Sequence, residues 1–175
     1  MEIEQVAEYE LGEKAREEVR CLLEKAFSSY PQKDAYWQQL PTFRLLARRE
    51  KELLGHLAVE YRRVRVGTEH FRIFGIADLC VHPDFSGSGV GGRLITQLQE
   101  LAPGYQARFL LTFASRPDFY LKNGFEEVQT HCRWLMIHQG VTMGVMQRKL
   151  SGVMVKALDA TPWPAGALDL LGPIF

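Results

Sequence analysis

Six consecutive residues, Gly87, Ser88, Gly89, Val90, Gly91 and Gly92, carry four glycines between an apolar run ending at Val81 and a helical pattern starting at Val90. Glycine lets the backbone approach a ligand closely, and the first amides of a helix lack intrahelical acceptors. Such a junction offers free N–H groups and the positive end of a helix dipole to a phosphate. A tight turn alone needs fewer glycines. Gly87, Gly89 and Gly92 also meet the G-x-G-x-x-G spacing of a dinucleotide site, which calls for a carboxylate about 20 positions on to bind ribose hydroxyls. The next apolar run ends instead in Thr112, Phe113 and Ala114. The Rossmann reading is set aside, and a different phosphate ligand is expected.

Other residues stand out by being polar in apolar company. Asp78 lies inside IADLCV and has to face a polar cleft or a structural hydrogen-bonding partner. Cys80, two positions on, has no evident basic partner and reads as a packed thiol. His82, Glu60 and His56 are single ionisable residues on or beside strands, which are usually solvated or satisfied. Tyr120 and Phe119 sit in DFYLKNGF, where the residues alone favour a pair of core aromatics.

The elements that position these groups follow from periodicity. Gly12 to Ser28 repeats apolar residues at helical spacing, and Lys33 to Leu40, stopped by Pro41, suggests a short second helix holding Tyr36 and Trp37. Phe43 to Arg48, Leu53 to Val66 and His70 to Val81 read as three strands joined by short turns, hence antiparallel neighbours. From Val90 helical spacing continues until Pro103 and Gly104 break it. Phe109 to Phe113 suits a buried strand, followed by a short helix that Ser115 can cap, Pro117 opens and Gly124 closes, making a crossover to a parallel neighbour. Phe125 to Ile137 and Val153 to Leu158 read as further strands. The tail, residues 159–175, is too rich in Pro and Gly for regular structure, yet its Trp163, Leu168, Leu170, Leu171, Ile174 and Phe175 should pack on the domain.

Composition narrows the class. A chain of 175 residues, 46% hydrophobic, suits one domain over 1–175 with a substantial core. Twenty-one basic residues balance twenty-one acidic ones, so no overall field draws the chain to nucleic acid or an anionic membrane. The three cysteines are widely spaced and lack metal-ligand spacing, and the first residues lack a signal pattern; a cytoplasmic protein without metal is expected.

VHPDFSGSGVGGRL, Val81 to Leu94, resembles the cofactor motif of the GCN5-related N-acetyltransferases, V-x-P followed by Q/R-x-x-G-x-G/A at the start of a helix. Val81, Pro83, Gly89, Gly91 and Leu94 match; Ser86 replaces the usual Gln or Arg, leaving backbone amides as the main contact. DFYLKNGF resembles the family's second signature, FYxKxGF, at the expected distance. The resemblance implies an α/β fold with a central mixed, mostly antiparallel sheet of six to seven strands flanked by about four helices. It implies acetyl-CoA as co-substrate, with the main chain of Leu79, Cys80 and Val81 along the pantetheine arm and Ser86, Gly87, Ser88, Gly89, Val90, Gly91 and Gly92 around the pyrophosphate. Tyr120 maps onto the residue that often protonates the departing thiolate, which has a free-thiol pKa of about 8.5. The family's base is commonly a carboxylate near the fourth strand, and Asp78 stands there, with His82, Glu60 and His56 as weaker alternatives for the same role. Phe113 occupies a position where several homologues use Asn to contact the cofactor, so that contact is not carried over. Arg116 and Lys122 either touch CoA phosphates or are simply solvated.

GHLAVEYRRVRVG followed by GIADLCVHPDF is loosely similar to aminoglycoside 2'-N-acetyltransferases and the nodulation acyltransferase NodA. That likeness implies a small-molecule amine as acceptor. A carrier-fed acyltransferase and a non-catalytic CoA sensor stay open as alternatives, as does a homodimer, a frequent state in the family.

Overall fold

The computed structural model describes residues 1–27 and 39–175. In order, β1 (Glu2–Ala7), α1 (Glu13–Ala26), β2 (Phe43–Arg49), β3 (Glu52–Val66) and β4 (Glu69–Val81) lead to α2 (Val90–Tyr105), β5 (Phe109–Phe113) and α3 (Pro117–Lys122). There follow β6 (Glu126–Glu127), β7 (Thr130–His138), β8 (Val141–Leu150), β9 (Val153–Ala157) and β10 (Leu168–Pro173). Two compact units result, Met1–Glu60 with Ile76–Leu101, and Tyr61–Gly75 with Ala102–Phe175, so β3 and β4 run through both.

In the first unit β1, β2 and the start of β3 pair antiparallel, with Ala7 opposite Phe43 and Phe43 opposite Val59. Alternation along these strands separates two apolar faces. One meets α1, whose Val19, Leu22 and Leu23 share a core with Leu46, Leu53 and Cys80. The other carries Gly55, where an added Cβ would lie 2.7 Å from Val90 Cγ1 and 3.3 Å from Leu94 Cδ1. A glycine in mid-strand thus lets α2 approach the sheet closely and fixes where its N-terminus falls.

In the second unit the strands lie in the order β6-β9-β5-β4-β3-β10-β7-β8. The β4 and β5 pair is parallel, as is β10 with β7, and the other registered pairs are antiparallel. Phe71, Ile73, Phe109, Leu111, Trp134, Val153, Val155, Leu168 and Leu170 form the core, with Trp163 and Phe175 packed against it.

The mixed α and β class expected from the sequence is the one observed, with differences of detail. There are ten strands rather than six or seven, and three α-helices among the described residues rather than about four. The additions are β1, β8, the split of Phe125 to Ile137 into β6 and β7, and β10 in the tail expected to lack regular structure. Leu168 and Leu170 are buried in that tail, and Arg62 Nη1 donates to the Pro173 carbonyl at 2.6 Å, so pairing to β3 and β7 outweighs its glycines and prolines. The parallel neighbour of β5 is the preceding β4, because β9 lies between β5 and β6. Helix α2 continues past Pro103, which falls in its last turn, and ends with Gln106 N–H on the Pro103 carbonyl. Ser115 does not cap α3; Arg116 holds the N-cap position without a side-chain bond. The second helix expected over Lys33 to Leu40 lies, apart from its last two residues, outside the described residues.

Gly152 is where the join of β8 and β9 depends most on glycine. Its φ is +69°, and a Cβ there would lie 2.3 Å from the Ala114 carbonyl oxygen. Gly152→Ala should destabilise the protein by more than about 1 kcal/mol, seen as an earlier midpoint in urea unfolding.

Candidate functional site

The glycine junction forms as a chain of short-range bonds. After β4, a single 3-10 turn over Pro83–Phe85 is closed by Phe85 N–H to the His82 carbonyl and Ser86 N–H to the Pro83 carbonyl, at 2.9 and 3.0 Å. Gly87 and Gly89 then take φ of +77° and +85°, the left-handed region that glycine alone enters freely. Ser88 N–H and Oγ both bond the Phe85 carbonyl, so that side chain is turned back on the loop. Residues 86–89 are exposed, and nothing lies within 4 Å of a Cβ built on Gly87 or Gly89. Arg93 N–H is the donor to the Gly89 carbonyl at 3.1 Å, so the amides of Val90, Gly91 and Gly92 precede the first bonds of α2 and have no acceptor within it. Several N–H groups and a helix dipole thus meet at an exposed turn, which suits a diphosphate.

Just before it, Asp78 interrupts β4 with φ of +50°. Left-handed backbone costs an L-residue roughly 1–2 kcal/mol, least for Asn and Asp, and persists where neighbours hold it. One neighbour is His56 on β3, whose Nδ1 lies 3.1 Å from the Asp78 carbonyl oxygen. Arg44 Nη1 lies 2.9 Å from His56 Nε2. A guanidinium only donates, so Nε2 accepts and the imidazole proton sits on Nδ1, aimed at Asp78. Arg44 Nε in turn donates to Glu8 Oε2 at 2.6 Å, and Arg16 Nη1 donates to Glu8 Oε1 at 2.8 Å. Arg44 and His56 have no exposed surface and Glu8 only 6%. Arg44 Nη2 is buried without a hydrogen-bond partner among the described residues.

Burial first, and the Arg44 charge second, push the His56 pKa down to about 3. A histidine with no exposed surface and its free nitrogen occupied cannot collect a proton from a substrate, which removes it as a base. His82 is half-buried, its Nδ1 accepting from Asp84 N–H at 3.3 Å. Glu60 is half-buried at the end of its unit. Burial, with the Asp78 charge, raises the Cys80 thiol far above its ordinary value, so the sulfur stays protonated and is no nucleophile.

In the second unit Tyr120 lies on α3 with its ring edge-on to Phe119 and Phe125, centroids 5.1 and 5.3 Å away. Burial raises its phenol pKa; the hydrogen bond with Thr112 of β5 opposes that shift. The hydroxyl is therefore protonated at neutral pH and able to donate. Phe113 packs edge-on to Phe175, centroids 5.5 Å apart, while Arg116 and Lys122 are exposed. Leu79 to Gly92 and Tyr120 thus belong to different units, each with its own local frame.

Residues 42–127, from the start of β2 through β6, match the profile described as acetyltransferase (GNAT) domain. "Uncharacterized N-acetyltransferase YjhQ" of Escherichia coli (strain K12) is 35% identical over 88 residues, 49% of this chain and 47% of that protein. The chain thus spans about half the length of the curated relative it matches. A GNAT family acetyltransferase of Brucella melitensis, solved in complex with acetyl-CoA, superposes with a TM-score of 0.60 over 95% of this chain and 94% of its own, at 18% identity. YhbS of Escherichia coli, a GNAT family N-acetyltransferase solved with CoA, gives 0.61 over 87% and 82%, at 20% identity. The fold of the chain is the GNAT fold, as these solved structures show. These relatives lend no support to the aminoglycoside 2'-N-acetyltransferase and NodA likeness. Among the described residues no helix is long and apolar enough to cross a membrane, and no group of three or more His, Cys, Asp or Glu is placed to hold a metal ion.

The buried imidazole makes stability pH-dependent with a definite sign. In the unfolded chain His56 binds a proton below its ordinary pKa of 6.5, whereas in the folded chain it binds one only near 3. Its contribution is whole above that range and is lost as pH falls through it. The stability difference between wild type and His56→Gln, from urea titrations at several pH values, should shrink steadily between those limits.

Proposed function

We propose that the chain is an N-acetyltransferase that moves an acetyl group from acetyl-CoA directly to the primary amine of a small molecule. The observation that carries this reading is the open glycine junction, Ser86 to Gly92, with left-handed Gly87 and Gly89 and the unpaired first amides of α2. Acetyl-CoA bound to the Brucella melitensis relative and CoA bound to YhbS support it. Leu79, Cys80 and Val81 receive the pantetheine arm through their main chains, and the amides from Ser86 to Gly92 hold the pyrophosphate.

In the reaction the amine nitrogen attacks the thioester carbonyl, the C–S bond breaks, and the sulfur leaves with the bonding electrons. Tyr120 supplies the proton that turns this thiolate into CoA thiol, and the second proton, lost by the attacking nitrogen as the amide forms, restores the phenol. As a phenol Tyr120 keeps its proton at neutral pH and so has one to give at every turnover; burial raises its pKa and makes it a weaker acid, and the Thr112 hydrogen bond opposes that shift. Asp78 takes the proton the ammonium must lose before its nitrogen can attack. Its strained backbone supports a functional reading, since such strain concentrates at working sites. The balanced charge of the chain argues against a nucleic-acid or membrane partner, and a homodimer remains part of the reading.

Acetyl-CoA turnover read as thiol release, across aminoglycosides, polyamines, amino acids and peptides, tests the activity and finds the acceptor. Release with none of them, together with no thermal stabilisation by acetyl-CoA, defeats the proposal. Tyr120→Phe should lower kcat by about 100-fold with the acetyl-CoA Kd nearly unchanged; unchanged turnover removes Tyr120 from the chemistry. Gly89→Val forces a β-branched residue into the left-handed region and should abolish acetyl-CoA binding in calorimetry.

A further inference from the structure

The buried chain Arg16, Glu8, Arg44 and His56 ends on one backbone atom, the carbonyl oxygen of Asp78. Each link has a single chemical sense. Glu8 receives from two guanidiniums, Arg44 donates onward to Nε2, and the imidazole passes the donor role to Nδ1. Buried polar groups of this kind are costly when half satisfied, and the chain is drawn from three separated segments, residues 8–16, 44 and 56. Its terminus coincides with the left-handed residue of β4. The peptide that His56 holds joins Asp78 to Leu79, the first of the three residues whose main chain receives the pantetheine arm in the function proposed above. A single left-handed residue in an extended strand resets the direction in which the following N–H and C=O groups face.

We propose that His56 is a positioning residue for acetyl-CoA: through Nδ1–H it locks the Asp78 carbonyl and so aims the main chain of Leu79 to Val81 at the cofactor. It touches no substrate and moves no proton. Arg44 fixes its tautomer, and Glu8 with Arg16 fixes Arg44. This inference rests on acetyl-CoA lying along residues 79–81, and the experiment separates the two claims.

Two substitutions divide the two ends of the imidazole. Asn places an amide nitrogen where Nδ1 was and keeps a donor for Asp78; Gln reaches to the Nε2 position and keeps an acceptor for Arg44 alone. Calorimetric titration with acetyl-CoA should leave His56→Asn within about threefold of wild type and weaken His56→Gln by about tenfold or more, the scale of one lost hydrogen bond to a held group. Equal losses in both, or normal affinity in His56→Gln, overturn the positioning role. The wild-type protein supplies a check that does not need either variant to fold. Its imidazole 15N resonances should report the neutral Nδ1–H form unchanged from pH 5 to 8, at about those limits, and the Nδ1–H signal should shift when acetyl-CoA saturates the protein. A titrating imidazole, an Nε2–H form, or a signal that ignores bound acetyl-CoA overturns it. Wild type that binds no acetyl-CoA defeats the cofactor reading itself, and the positioning role with it.

Discussion

An arginine and a histidine with no exposed surface can share the interior of a small domain only if their hydrogen bonds have definite directions, and Arg44 and His56 meet that condition. The guanidinium cannot accept, so the imidazole must; the imidazole then has one proton left, and it points at the Asp78 carbonyl. Most of the first unit is organised around that requirement. Glu8 is carried in from the turn after β1, Arg16 from the first turns of α1, and β2 and β3 pair in the register that sets Leu46 against His56. Ion pairs removed from water are poor sources of stability, because desolvation offsets most of their attraction. What such a network can do well is hold one backbone geometry, here the left-handed residue ahead of the glycine junction.

The junction follows from the opposite condition, a deliberate lack of partners. Gly87 and Gly89 keep their side of the loop open, and the amides that begin α2 have nothing inside the helix to bond. Ser86 stands where the motif this segment resembles has Gln or Arg, and the free N–H groups of the turn belong to the main chain whatever that side chain is. Gly55 contributes from a distance by letting Val90 and Leu94 lie close on the sheet, which sets the level at which those amides emerge. The second unit holds Tyr120 differently, by aromatic edges from Phe119 and Phe125 and a hydroxyl from Thr112.

Much of this was legible in the chain. The long strands from Phe43 to Val81, the strand–glycine–helix passage and β5 announce themselves through apolar runs punctuated by Gly and Pro, and their observed bounds differ from the expected ones by a residue or so. The departures have physical causes. β8 exposes nearly its whole length and β10 lies among glycines and prolines, so neither shows a period in sequence; each exists because β7 offers it a ladder. Arg44 in FRLLA, His56 in LLGHLAV and Glu8 were visible as polar residues in or beside apolar runs, the same signal that marked Asp78. What single residues could not reveal is that three such anomalies resolve one another.

The sequence by itself determined the fold class and the open glycine turn, because both depend on local properties: glycine's freedom at φ above zero, the orphan amides of a helix start, and two motifs at a fixed spacing. Only the tertiary structure decided what His56 does. A histidine on a strand carries no mark of its tautomer, its burial or its partner, since these come from residues dozens of positions away. With Arg44 on one nitrogen and the Asp78 carbonyl on the other, a candidate base became the brace of the strand that leads into the glycine turn.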